Sequence, residues 1–146
     1  MLNEVWVTVS GNVVDDPMQR ETTGAPVKFR LASTPAYMRD GMWMDSETNF
    51  FDVVCWERLG EHIKECVRRG DPVLVHGRLS IRDWEGEKGR GRTVEINAKH
   101  VGFDLKRRKA LIERLPRPRP EETQVTPALS MEAPVEAEAT VAESAA

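Results

Sequence analysis

The sequence has 146 residues, enough for one domain of ordinary size and a tail, and its 40% hydrophobic content allows a modest core. The formal net charge of −3 is unevenly distributed. Residues 1–105 carry 14 basic and 17 acidic side chains, residues 106–120 carry seven and one, and residues 121–146 carry none and six. Because residues 1–105 are not basic overall, we do not expect them to bind a polyanion through net charge alone.

Several kinds of site are excluded by residues that the sequence lacks. Cys55 and Cys66 have neither CxxC spacing nor histidine partners, so we expect reduced thiols and no zinc site. No apolar run approaches the ~18 residues of a membrane span, and the N-terminus does not resemble a secretory signal. No GxSxG elbow, P-loop or Ser-His-Asp set is found. We therefore expect a cytoplasmic protein that has no cofactor and is not an enzyme.

Alternating apolar and polar residues predict five strands and one amphipathic helix. The strands cover residues 5–13, 27–34, 47–56, 73–84 and 93–101, and the helix covers residues 58–69. In the first strand, Gly11 lies in the apolar register, where a missing side chain permits a close backbone crossing. The fourth strand is expected to hold Val73, Val75, Leu79 and Ile81 inward and His76, Arg78, Ser80, Arg82 and Trp84 outward.

The connecting segments have different characters. Residues 36–46 are predicted to be a long connection, and residues 85–91 a mobile hairpin tip because they contain three glycines. Residues 106–120 are predicted to be a basic linker containing proline and arginine, and the stretch from Leu105 could form an amphipathic helix. Residues 121–146, rich in Glu and Ala, have no aromatic residue, and we predict a disordered tail.

The order of three strands, one helix and two more strands contains too little helix for a doubly wound parallel sheet. It matches a five-stranded barrel with its helix between the third and fourth strands, which is the OB fold. We therefore predict an all-β chain whose residues 1–105 form an OB-fold barrel. Large aromatics beside arginines on an outward strand face contribute little to folding, and they indicate a surface that a ligand covers.

Four segments, in this order, resemble the bacterial single-stranded DNA-binding protein (SSB) family. They are VSGNVVDDP, GAPVKFRLASTPAY, ETNFFDVVCWERLGEHIKECVRRGDPVLVHGRLSIRDW and RTVEINAKHVGF. The resemblance covers roughly residues 3–103. It implies a homotetramer, associated with the nucleoid, that binds single-stranded DNA in replication, recombination and repair.

The resemblance also implies site residues. Four base-stacking positions fall on Tyr37, Phe50, Trp56 and Trp84, and three basic positions fall on Arg58, Arg69 and Arg82. Their positions on the predicted strands and loops add Arg30, Arg39 and Arg78 as further candidate groove charges.

Two departures from the family pattern qualify these expectations. Asp52 and Asp83 occupy places where many relatives have Lys or Arg, which should weaken phosphate contact. Replicative members usually end in an acidic tip with Pro-Phe that recruits partner proteins, whereas this sequence ends in Ala-Glu-Ser-Ala-Ala. The resemblance is therefore to a secondary paralogue of actinobacterial type, and the role of partner recruitment is in question.

Structural explanations compete with the functional ones. Without the resemblance, Trp56 and Trp84 could equally be core rings at strand ends. Phe51 points away from Phe50 and is expected in the core or a subunit interface, and Trp6 is expected at a dimer interface. A lone His76 is more often a neutral surface group than a ligand.

Two alternatives concern the chain as a whole. Residues 106–109 are as consistent with a solvated basic face as with auxiliary DNA contact, and the Glu-rich tail is either inert or a weak competitor for the groove. The alternative function is an OB module for protein assembly, such as a replication-restart subunit, with weak or no DNA binding. Asp52 and Asp83 favour that alternative, and the four aromatics argue against it.

Overall fold

The computed structural model describes residues 3–114 and residue 116. Its contacts divide the chain into a unit of residues 1–110 and a unit of residues 111–146, and all the described regular structure belongs to the first. The predicted disordered tail, residues 121–146, and the end of the predicted linker lie outside the described residues.

Five long strands and one helix lie where the alternation of the sequence predicts them, and three short strands are added. In chain order the elements are β1 (Val5–Val13), β2 (Met18–Gln19), β3 (Val27–Ser33), β4 (Ala36–Arg39), β5 (Met42–Asp45), β6 (Asn49–Cys55), α1 (Glu57–Cys66), β7 (Pro72–Gly86) and β8 (Gly89–Phe103).

The five long strands close into a barrel. The sheet runs β1-β7-β8-β6-β3, and β1 returns to β3 through Asn12↔Ala32 and Val13↔Leu31. β6 and β8 form the one parallel pair of the described sheet, and the other pairs are antiparallel. This closure confirms the predicted OB-fold barrel with its helix between the third and fourth long strands.

Inward-facing side chains fill the barrel with apolar groups. The helix contributes Ile63 to the core. Val67 follows the end of the helix and is also buried, and its backbone N–H donates to the Ile63 carbonyl (2.9 Å). Burial raises the pKa of the Cys55 thiol to about 12, so this side chain is a neutral core group. The buried cluster consists of Val13, Val27, Phe29, Leu31, Val53, Cys55, Ile63, Val67, Val73, Val75, Ile96 and Ala98.

Two glycines permit close approach of strands in the barrel wall. A Cβ on Gly11 would meet the backbone carbonyl of Ala32 in β3, as expected for a crossing at this point of β1. A Cβ on Gly77 would meet the backbone carbonyl of Asn97 in β8, beside a register shift between His76 and Gly77. Glycine at both positions lets neighbouring strands pair without spreading the barrel.

The segment 36–46 is a hairpin, and the prediction of a long irregular connection is wrong. β4 and β5 pair through Tyr37↔Met44 and Met38↔Trp43. Asp40 (φ 52°) and Gly41 (φ 78°) form the turn between them, and an Asp-Gly pair favours such a two-residue turn.

The β7–β8 hairpin is longer than predicted, because β7 continues to Gly86 and β8 begins at Gly89. Beyond Leu79, where the pairing with β1 ends, the outer part of β7 is paired only with β8. Ile81 therefore remains 54% exposed, contrary to its predicted inward position, since no other strand covers it.

No helix forms in the basic segment as far as residue 114. One turn after Asp104 is followed by an irregular chain, and Arg108 Nη1 lies 3.3 Å from Asp71 Oδ1 at the barrel. Leu111 and Ile112 are almost fully exposed. A helix as short as this segment allows is marginal in water without tertiary packing of its apolar face.

Candidate nucleic-acid interface

A groove of 720 Å³ lies on the outer face of the barrel and brings together residues of β2, β3, β7 and β8 around Trp56. Arg78 and Arg82 line it, as their outward positions on the fourth long strand predict. Its lining is Met18, Gln19, Arg20, Thr22, Ala25, Pro26, Lys28, Val54, Trp56, Arg78, Ser80, Arg82, Glu95 and Asn97.

Trp56 stands at the junction of β6 and α1. Its backbone is extended (φ −97°, ψ 152°), and it occupies the N-cap position without a side-chain capping hydrogen bond. Glu57 follows with φ 53°, a left-handed conformation that non-glycine residues rarely adopt. The indole is 47% exposed, so Trp56 is a wall of the groove rather than a core ring.

Trp84 lies on the outer part of the β7–β8 hairpin, opposite Gly91. The six-membered ring of its indole covers Gly91, where any Cβ would meet the ring atoms. The indole is 48% exposed. Beside it, Asp83 accepts a hydrogen bond from Arg92 (2.7 Å), and this bond lowers the pKa of Asp83. The carboxylate of Asp83 is thus paired on the hairpin.

Phe50 and Phe51 face opposite sides of β6, as the period of two predicts. Phe51 is partly buried and packs against the barrel core. Phe50 is 45% exposed, and the guanidinium of Arg30 lies 4.7 Å from its ring centroid. This arrangement is a cation–π contact beside an accessible ring.

Tyr37 projects from the β4–β5 hairpin and is 45% exposed. On the same strand, Arg39 Nε lies 3.9 Å from Oδ2 of the neighbouring Asp40. The hairpin also exposes several apolar side chains, among them Trp43 at 71%. Their signal in the sequence was the run of Met and Trp around Asp-Gly.

Of the six predicted cations, four lie outside the lining of the groove: Arg30, Arg39, Arg58 and Arg69. Arg58 is exposed on the first turn of α1, and Arg69 follows the helix, where its backbone N–H donates to Asp16 Oδ1 (2.8 Å). Neither lines the 720 Å³ groove. The groove instead contains Arg20 and Lys28, which sequence reasoning missed, although Lys28 shares the outward register of Arg30.

A second surface, which we call the outer patch, consists of Trp6, Leu74, His76 and His100. The rings of Trp6 and His76 stack at 5.6 Å, and those of His76 and His100 stack at 6.1 Å. Trp6 and Leu74 are 46% and 42% exposed. His76 is therefore one ring of a row across β1, β7 and β8.

The described residues hold no group of three or more His, Cys, Asp or Glu side chains arranged to bind a metal ion. Within the same part of the chain, no helix is long and apolar enough to cross a membrane.

Comparison with known proteins gives a consistent family relationship. A family model described as the Single-strand binding protein family matches residues 3–104. Single-stranded DNA-binding protein 2 of Streptomyces coelicolor is 41% identical over 73% of the chain and 56% of its own length. Single-stranded DNA-binding protein 2 of Streptomyces avermitilis is 38% identical over 87% of the chain and 82% of its own length.

Solved structures of single-stranded DNA-binding proteins agree with this family relationship. The small single-stranded DNA-binding protein of S. coelicolor gives a TM-score of 0.66 at 36% identity, covering 73% of this chain and 99% of that one. The second such protein of Mycobacterium smegmatis gives 0.56 at 29% identity, covering 77% and 100%. The match thus spans little more than half the length of the S. coelicolor protein 2 and 99–100% of the two solved chains. The relatives are described as binding proteins, which confirms the expectation of a protein that is not an enzyme.

Proposed function

Because the chain belongs to the Single-strand binding protein family, we propose that it binds single-stranded DNA with little regard to sequence. The observation that carries the proposal is the groove in which the half-exposed indole of Trp56 stands beside Lys28, Arg78 and Arg82. A single strand offers both base faces and phosphates. In this groove the exposed indole can stack on a base face while the neighbouring cations contact phosphates.

Base stacking supplies the part of the affinity that tolerates any sequence. Each base stacked on an aromatic side chain contributes about 1–3 kcal/mol whatever its identity. Tyr37, Phe50, Trp56 and Trp84 are all 45–48% exposed, and each lies on a different element or junction. We propose that these four rings are successive stacking platforms, as the family resemblance implies.

Cations supply the remaining affinity by contacting phosphates. Within the proposal, Arg78 and Arg82 act in the groove, and Arg30 and Arg39 act beside Phe50 and Tyr37. Arg58 lies on α1 and Arg69 follows it, and in this proposal both would contact a DNA strand that leaves the groove. Charges more than about 10 Å from the strand are screened at ordinary ionic strength, so the net charge of the chain does not prevent this binding.

The cellular roles belong to the same proposal. A protein that covers exposed single strands acts in replication, recombination and repair, and it is located in the cytoplasm at the nucleoid. In this scheme residues 1–105 are the DNA-binding domain, residues 106–120 a basic linker and residues 121–146 a tail.

One observation favours the second candidate, a protein-assembly module with weak DNA binding. Several cations of the site already pair with carboxylates: Arg78 with Glu4 at 3.4 Å, and Arg82 with Glu95 at 3.0 Å. Phosphate must compete with these partners.

We further propose that the chain forms a homotetramer in which the outer patch contacts another subunit. Exposed Trp6 and Leu74 lie beside stacked imidazoles, and the Lys99 ammonium lies 5.7 Å from the Trp6 ring centroid, so the surface offers both apolar and cation–π contacts to a second copy of the chain. Leu74→Glu is expected to reduce the mass measured by light scattering toward the 16.5 kDa of one chain. Leu105→Glu, at an exposed leucine outside the patch, is the matched control. A wild-type mass of one chain would contradict the proposal.

Intrinsic tryptophan fluorescence during titration with oligo(dT), at low and high salt, tests DNA binding directly. We expect strong quenching that persists at high salt, because stacking depends on salt far less than counterion release does. The latter changes log K by about −0.7 per phosphate contact for each unit of log salt. If no quenching occurs at any salt concentration, the protein-assembly function becomes the better assignment.

A further inference from the structure

Glu95 is the only acidic residue among those that line the 720 Å³ groove in the described part of the chain. It lies on β8, opposite Ser80 of β7 and Asp52 of β6. Its side chain is only 17% exposed. A carboxylate at this depth is unexpected in a groove otherwise lined by four cationic side chains, which are Arg20, Lys28, Arg78 and Arg82.

The carboxylate of Glu95 contacts two of these cations. Its Oε1 accepts a hydrogen bond from Arg82 Nη2 at 3.0 Å, and its Oε2 lies 4.0 Å from Lys28 Nζ. Lys28 reaches it from β3 and Arg82 from β7, so one carboxylate joins cations on opposite sides of the groove. The side chains of Lys28 and Arg82 are 53% and 67% exposed, so both remain accessible to a ligand.

We propose that Glu95 is a built-in competitor for phosphate, which limits the affinity of the groove for single-stranded DNA and keeps the bound strand exchangeable. This inference rests on the proposed function. A phosphate that approaches Arg82 must displace a carboxylate that offers the same charge-assisted hydrogen bond. The displaced carboxylate remains in the groove and repels the phosphate, so binding gains less than two free cations would provide.

The same geometry determines the salt dependence. Cations that are neutralised by a protein carboxylate release fewer counterions from the DNA than free cations do. Glu95 therefore makes affinity less sensitive to salt. Asp52 and Asp83, which the sequence comparison with the family singled out, do not line this groove, and Asp83 is paired with Arg92. Glu95 is thus the carboxylate within the groove lining that competes for its cations, while Glu4 pairs with Arg78 from outside the lining.

Glu95→Gln tests the inference, since the amide keeps the shape of the side chain and removes its charge. Binding of fluorescein-labelled oligo(dT) is measured by anisotropy at several salt concentrations, with thermal unfolding as a check of folding. We expect affinity at low salt to rise about tenfold, and the slope of log K against log salt to become steeper by about 0.7–1.4, for one or two additional phosphate contacts. Dissociation should slow accordingly.

Glu61→Gln, on the exposed face of α1, is the matched control, because it removes one negative charge outside the groove. It should change neither the affinity at low salt nor the slope of log K against log salt. Glu95→Ala should shift affinity in the same direction as Glu95→Gln, and adding Arg82→Gln should remove most of the gain. Unchanged or weaker binding by folded Glu95→Gln and Glu95→Ala, with normal binding by the wild type, would overturn the inference, because Glu95 would then hold the cations in place for phosphate. Absence of binding by the wild type at any salt would instead overturn the proposed function, and this inference with it.

Discussion

Trp56→Ala and Trp84→Ala are each expected to weaken binding of oligo(dT) by about 5- to 150-fold, equivalent to the ~1–3 kcal/mol that a stacked base contributes. Neither substitution should unfold the barrel, because both indoles are about half exposed and neither belongs to the buried cluster. Anisotropy of a labelled oligonucleotide measures the affinity, since the substitutions remove part of the intrinsic fluorescence.

Trp43→Ala is the matched control for loss of an exposed indole. In the β4–β5 pairing, Trp43 is opposite Met38, on the face away from Tyr37 and Met44, so its removal should leave affinity within about twofold. Gly91→Ala gives an independent test at Trp84, because the new methyl group displaces the indole without removing it. Gly86→Ala, where a Cβ meets nothing within 4 Å, should be neutral. Unchanged affinity in both tryptophan variants would disprove stacking at these rings.

Gly77→Ala is expected to lower the free energy of unfolding by about 3 kcal/mol, the upper part of the usual range for overpacking. The added Cβ would meet the Asn97 carbonyl and the Ala98 Cα, which are backbone atoms and cannot rotate away as a side chain would. The strands β7 and β8 would have to separate where their register shifts. Urea denaturation, followed by circular dichroism, measures the change.

Gly102→Ala provides the comparison on the same pair of strands. A Cβ at Gly102 meets nothing within 4 Å, and alanine reduces the conformational entropy of the unfolded chain, so stability should stay equal or increase slightly. Equal stability of the two alanine variants would show that β7 and β8 do not approach as closely at Gly77 as the structure indicates.

The architecture could be predicted from sequence because period-two alternation marks most of the long strands, and β6 is a short run that is apolar on both faces. Val13, Val53 and Ile96 are buried where this alternation places them. Alternation does not show where a strand loses its neighbour, and for this reason Ile81 was assigned to the core. The β4–β5 hairpin was missed although Asp40-Gly41 is a good hairpin turn, because both flanking strands expose apolar residues and show no inward face.

The candidate site was predicted in part. Exposed Tyr37, Phe50, Trp56 and Trp84 agree with the functional interpretation of these rings, and their contacts with DNA remain a prediction. The pairing of Glu95 with Lys28 could not be predicted in the same way. It depends on the order of β3, β6 and β8 in the sheet, and on the register of the parallel pair, which determine which distant residues share one groove.

The closure of the barrel also determines how the chain must fold. β1 is completed by β7, and partners such as Thr8 and His76 are separated by 68 positions in sequence. The parallel pair of β6 and β8 likewise joins strands that are not consecutive. Topologies dominated by such distant pairings fold in milliseconds to seconds, because the loops must close before the contacts form. During synthesis β3 and β6 can pair once both have left the ribosome, but one edge of β1 stays open until β7 is released and one edge of β6 until β8 is released. Open strand edges can pair with other chains, so we expect aggregation of the nascent chain to be most favoured in this interval.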